Sequence, residues 1–167
     1  MTWFDSLIIL VSIGIVLYEA RQEAGRGLLD AVMTMAAVHF SAELAPAVTL
    51  WMQWKPLPGS DSAPLAMLAC FLVLWLGGLL ISRTLHRQFR WSMDQFDFLF
   101  GAVFGMVIAV SLGHVITDMT ARFALASTGE LPHFVQNSLL ADELRNFRSY
   151  HYVLAVFHNY QDGRGGQ

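Results

Sequence analysis

Between Asp97 and Asp118 the chain runs for twenty residues without Asp, Glu, Lys or Arg, and small residues recur there every fourth position at Gly101, Gly105, Ala109 and Gly113. A run of ~20 apolar residues matches the ~30 Å hydrocarbon core of a bilayer at ~1.5 Å rise per residue. The row of small residues follows one side of that helix and lets a second backbone approach closely. Packing of this kind holds helices together in lipid, where apolar burial alone gives no advantage. Composition agrees: 55% of residues are hydrophobic and 14% charged, against about 25% charged in soluble domains.

Other classes drop out on the same grounds. The net charge is −3 and the ten Lys and Arg are dispersed, so there is no electrostatic footprint for nucleic acid. The single cysteine, Cys70, lies in an apolar run; it excludes an intramolecular disulfide, argues against a cysteine-based zinc site, and is expected to serve packing. No metal or other cofactor is expected. The N-terminus has neither the basic region nor the small-residue cleavage motif of a secretory signal around Leu7 to Leu17, so the first helix is expected to be retained.

Charge-free intervals predict an all-α polytopic bundle of four spans. The third span lies in the twenty-one residues between Asp61 and Arg83 and opens on Pro64, whose missing N–H would be unbonded in a first turn anyway. The fourth is the run from Phe98, with Ser92 and Gln95 spaced as a capping box ahead of it. The first has only thirteen uncharged residues between Asp5 and Glu19 and spans if Trp3, Phe4 and Tyr18 take interfacial positions. The second, about Leu28 to Trp54, is interrupted by His39, Glu43 and Pro46 and reads either as a kinked span or as a broken, re-entrant segment.

Cations set the orientation. Arg21, Arg26, Arg83, Arg87 and Arg90 follow spans one and three, against Lys55 and Arg122 near the opposite ends, which places both arginine loops in the cytoplasm and both termini outside. Trp51 and Trp54 then mark the outer boundary and Trp91 the inner one. Residues 1–118 form the bundle, 119–160 an extracytoplasmic segment and 161–167 a glycine-rich disordered tail. From Asn137 as helix cap, Leu140, Leu144, Phe147, His151, Leu154 and Phe157 recur at helical spacing opposite Asp142, Arg145, Asn146 and Ser149, predicting an amphipathic helix that lies on lipid, on the bundle or on another protein.

Four features together resemble the colicin V production protein (CvpA) family: Asp5 entering the first span; the basic turn Gly25, Arg26, Gly27; Asp97 ahead of Gly101 and Gly105; and the Asn137–Ser138 pair opening a late helix. The likeness runs from about Trp3 to Phe157. It implies a polytopic bacterial inner-membrane protein linked to peptide-toxin export and envelope homeostasis, without a catalytic centre. Some relatives carry an extracytoplasmic serine protease; no soluble Ser/His/Asp arrangement follows the spans here, so that activity is not implied. Glu19 and Glu23 intervene where relatives are richer in arginine.

Candidate chemistry is sparse, and no catalytic residues are assigned. His39 and Glu43 share one helix face at mid-bilayer depth, where ionisable groups are costly. They serve either as interhelical glue or, with Asp30, as a proton or ion path; two ligands are too few for a metal. Asp97 and Asp30 are expected to pair with loop arginines or to face a helix N-terminus. Gly101, Gly105, Ala109 and Gly113 are contact residues, within the subunit or between subunits, and His114 is expected to bond a backbone carbonyl or water. The expected partners are membrane lipid and other membrane subunits or further copies of the chain. The leading expectation is a non-enzymatic membrane scaffold; the alternative is a small transporter or proton path through His39 and Glu43.

Overall fold

The computed structural model describes residues 2–52, 62–88, 92 and 94–146. Its regular elements are all helical: α1 (Trp3–Glu19), α2 (Ala24–Met52), α3 (Ser62–Gln88), a 3₁₀ turn at Asp94–Phe96, α4 (Asp97–Thr128), α5 (His133–Gln136) and α6 (Leu139–Asn146). Three of them, α2, α3 and α4, are long and apolar enough to cross a membrane. At 17 residues, α1 is ~25 Å long, well short of the ~48 Å of the 32-residue α4.

Small residues dictate the packing order α1–α4–α2–α3. A Cβ on Gly101 would stand 2.4 Å from the Glu19 carbonyl oxygen, and one on Gly105 would stand 2.9 Å from Val16 Cα. Only glycine lets α1 and α4 run at that separation. As α4 advances through Gly101, Gly105 and Gly113, its neighbours on α1 step back through Ala20, Val16 and Ile8, so the two helices are antiparallel. Antiparallel α2 and α3 meet through Met33, whose Cβ would lie 2.9 Å from a Cβ on Gly78. Ala37 and Ala45 of α2 join Phe71 and Met67 of α3 and Val115 and Met119 of α4 in the main apolar cluster. Because α1 packs on α4 and α3 on α2, a gap remains between α1 and α3.

The second segment is one continuous 29-residue helix that carries Pro46 in its interior, not a broken or re-entrant piece. Pro46 removes one backbone donor, but its neighbourhood is held by Ala45 in the main cluster. Asp118 lies inside α4, which continues to Thr128, and Arg122 Nε bonds Asp118 Oδ2 at 2.6 Å one turn on. The boundary expected at residue 118 therefore falls inside a helix. The Ser92–Gln95 capping box does not start α4, whose N-cap is Phe96 with no side-chain bond; Ser92 Oγ instead accepts from Asp94 N–H and donates to Asp97.

α5 and α6 cover the flank of α4 that short α1 leaves bare. Phe134, Val135, Ala141, Leu140 and Leu144 pack on Phe4 and Ile8, and Leu144 lies against Gly113. His114 Nδ1 donates to the Leu144 carbonyl at 2.6 Å, the backbone bond expected of it. Helix α6 is capped by Ser138, not Asn137: Ser138 Oγ accepts from Ala141 N–H at 2.9 Å, while Asn137 closes α5. Leu140 and Leu144 thus pack on the bundle, whereas Phe147, His151, Leu154 and Phe157, the predicted tail 161–167, Trp54, Trp91 and Arg90 lie outside the described residues.

Candidate functional site

Polar side chains gather at the end of the bundle where α1 stops, α2 starts and α3 finishes. Asp30, buried on α2, accepts a hydrogen bond from Ser82 Oγ on α3 and faces Arg26 Nε at 3.6 Å. One turn on, Thr34 donates to the Asp30 carbonyl at 2.7 Å and accepts from Trp75 Nε1 at 3.2 Å. A buried carboxylate needs such partners, since isolated burial would cost far more than these bonds return. Asp30, Ser82, Thr34 and Trp75 therefore stitch α2 to α3.

Arg26 reaches outward from this knot, donating to Gln22 at 2.7 Å and to the Tyr18 hydroxyl at 3.2 Å. Nearby, His86 Nε2 of α3 lies 3.1 Å from Glu23 Oε2. The carboxyl of Glu19, only 5% exposed, sits where α1 meets the Gly27 turn, 3.6 Å from where a Gly27 Cβ would be; its Oε2 is buried without a hydrogen-bond partner among the described residues. Asp97, in the first turn of α4, accepts from Ala24 N–H at 3.0 Å. It thereby satisfies one free donor at the start of α2, as a helix N-terminus requires.

The gap between α1 and α3 opens beside this cluster as a cleft of about 470 Å³. Val11, Gly14 and Ile15 form its α1 wall, Trp75 and Leu79 its α3 wall, and Ile108 and Leu112 its back on α4. Glu19, Asp30 and Thr34 mark its polar end. Tyr18, Arg26 and Arg83 are shared with a second hollow of about 360 Å³, which His86 and Arg87 complete. A greasy slot thus runs into a basic chamber at the arginine-bearing end.

The expected site residues divide clearly. Gly101 and Gly105 are consumed by α1, and Gly113 by α6; with buried Ala109 they form an internal seam of the subunit. Arg26, Arg83 and Arg87 meet around the basic chamber, whereas Arg21 is exposed and is not among its lining residues. His39 and Glu43 do form a pair, Nε2 to Oε1 at 3.4 Å, but with side chains 68% and 61% exposed they face outward from the bundle. They stand ~14 and ~20 Å along α2 from Asp30, near the middle of the interval that the charge-free run of α3 spans. Asp30 does not join them. Sequence reading missed Glu19, Ser82, Thr34 and Trp75; the available signal was helical spacing, with Thr34 four residues after Asp30 and Ser82 seven after Trp75.

Comparison with protein-family models, with curated proteins and with solved structures finds no match.

The Asp30 knot makes a graded prediction. Ser82→Ala is expected to cost about 1 kcal/mol, in the range of single interhelical hydrogen bonds in membranes. Asp30→Leu leaves Arg26 without its carboxylate and is expected to cost roughly 3 kcal/mol or more. Thermal unfolding of both variants in one mild detergent checks the order.

Proposed function

We propose that this protein is a non-enzymatic subunit of a bacterial inner-membrane assembly, which binds another membrane helix across the outward face of α2. The observation that carries this reading is the exposed His39–Glu43 pair. At the centre of a span a charged side chain facing lipid costs roughly 2.5–3.5 kcal/mol. A polar neighbour on a second helix removes that cost, and polar side chains commonly join membrane helices. The flanking residues on α2 suit such a contact: Met35, Phe40, Leu44, Leu50 and Trp51 are exposed. The glycine row of α4 is already occupied within the subunit, so α2 offers the next polar and apolar surface at membrane depth.

In this reading α1 is the fourth span. The arginine-bearing end is cytoplasmic and both termini are outside. The late helical segment of which α6 is the start faces the envelope space. A role like that of the colicin V production family, in export or envelope homeostasis, is supported by the sequence pattern of Asp5, the Gly25–Gly27 turn, Asp97 with Gly101 and Gly105, and Asn137–Ser138.

The rival, a proton or ion path through His39 and Glu43, requires the route to run along the outside of the bundle, at a boundary with another chain. Glu43→Gln separates the two readings: a path loses flux in proteoliposomes while association persists, whereas a docking pair keeps association near normal and has no flux to lose. The decisive variant is His39→Leu with Glu43→Leu. It is expected to leave the subunit folded and to convert a larger complex in gentle detergent extracts into the lone chain. A wild-type protein that migrates as a single chain in every mild detergent would overturn the proposal.

A further inference from the structure

The cleft between α1 and α3 has the polarity profile of an amphiphile, and its two ends differ in charge. Val11 to Tyr18 spans two helical turns, ~10 Å of apolar wall, with Gly14 leaving room in the middle: a Cβ there would meet nothing within 4 Å. The chamber at the other end is lined by Tyr18, Arg26, Arg83, His86 and Arg87, and no carboxylate is among these residues. Arg26 is engaged by Asp30 and His86 by Glu23. Arg83 and Arg87, both exposed, have no acidic partner among the described residues. Two uncompensated guanidinium groups at one end of an apolar slot suit a phosphate, whose oxygens match the planar donor fork. The slot suits a hydrocarbon chain entering sideways from the bilayer.

We propose that this cleft holds one acidic phospholipid, with an acyl chain between α1 and α3 and its phosphate at Arg83 and Arg87. Charge chooses the occupant. The carboxylates nearby are already engaged or buried, Asp30 by Arg26, Glu23 by His86 and Glu19 in the packing. An ammonium would therefore meet the guanidinium groups of Arg83 and Arg87, whereas a headgroup whose only charge is its phosphate brings no cation. The lipid fills the space that the α1–α4 and α2–α3 pairings leave open, and it holds α1 to α3 through a ligand. The site does not depend on whether α2 carries a partner.

Native mass spectrometry of the full chain tests this, after delipidation in mild detergent and titration with phosphatidylglycerol or phosphatidylcholine. Wild type is expected to retain one phosphatidylglycerol with roughly tenfold or greater preference over phosphatidylcholine, within the ceiling of about thirtyfold that two arginines near a membrane surface supply. Arg83→Gln with Arg87→Gln is expected to abolish that preference while retaining some binding of either lipid. Gly14→Phe is expected to fill the slot and abolish retention of both, with the melting temperature of the lipid-free protein unchanged or higher. Gly14→Leu provides the same block with a smaller side chain. Equal retention of the two lipids by wild type, or undiminished phosphatidylglycerol binding in both folded Gly14 variants, would overturn the proposal. So would displacement of the lipid by inorganic phosphate alone, because that would place the binding at the arginines without the slot.

Discussion

Replacing Gly101 by leucine is expected to force α1 away from α4 and to leave little folded protein. Even the first added carbon would lie 2.4 Å from the Glu19 carbonyl oxygen and 3.0 Å from Ala20 Cα. Both are backbone atoms, so no side-chain rotation relieves the clash. Extra methylenes in a packed interface typically cost about 1–3 kcal/mol each site, and here the helix axes themselves must separate. The contrast with Gly14 and Gly77 makes the test specific, since a Cβ at either meets nothing within 4 Å. Changing those to alanine is expected to be neutral or to stabilise by up to about 1 kcal/mol, through helix propensity. Melting curves and size-exclusion profiles in one detergent check all three. Gly101→Leu behaving like Gly14→Ala would mean that α1 does not sit on α4.

Asp5→Ala is the second substitution with a large expected effect. This carboxylate, 0% exposed, accepts from Thr2 N–H at 2.7 Å, from Ser138 Oγ and from Leu140 N–H at 3.2 Å. It therefore completes the capping box of α1 and also caps the start of α6. Loss of a single cap costs about 1 kcal/mol, and hydrogen bonds to a charged group contribute about 1.5–3 kcal/mol. With both helices affected, a total near 3 kcal/mol is expected. The signature is local: α5 and α6 should detach before the rest, so limited proteolysis should cut between Thr128 and Leu139 in the variant while α1 to α4 remain intact. Asp5→Asn keeps one acceptor oxygen and should fall between the two. Uniform loss of the whole fold, with no such intermediate, would contradict this account.

The elements that were legible in the sequence are those written in runs. The helices α3 and α4 follow from charge-free intervals, and the glycine row was readable as a contact surface because a four-residue period is a property of one helix. What the row touches was not readable, since Val16 and Glu19 on α1 and Leu144 on α6 enter from two distant parts of the chain. The second segment reads either as a kinked span or as a broken piece because His39, Glu43 and Pro46 count against a helix locally, whereas contacts of Ala37 and Ala45 with α3 and α4 stabilise the continuous helix. The candidate site was half visible. Its arginines were counted for orientation, but the slot that gives them a task is a space between α1 and α3, and a gap has no residue pattern. His39 and Glu43 were visible as a pair. Their outward direction depends on the rotation of α2 about its axis, which is fixed by Met33 against Gly78 and Thr34 against Trp75.

The bond between Asp5 and Ser138 joins positions 133 residues apart, and it orders events during biogenesis. Helix α1 leaves the ribosome long before Ser138 is made, so while the intervening spans insert, its acidic cap has only Thr2 and solvent for company. The carboxylate thus acts as a bookmark, keeping the N-terminal end of the first helix wet until the late segment arrives to cover it. A nascent chain arrested before Ser138 should expose Asp5 to aqueous reagents, and release of the completed chain should withdraw it.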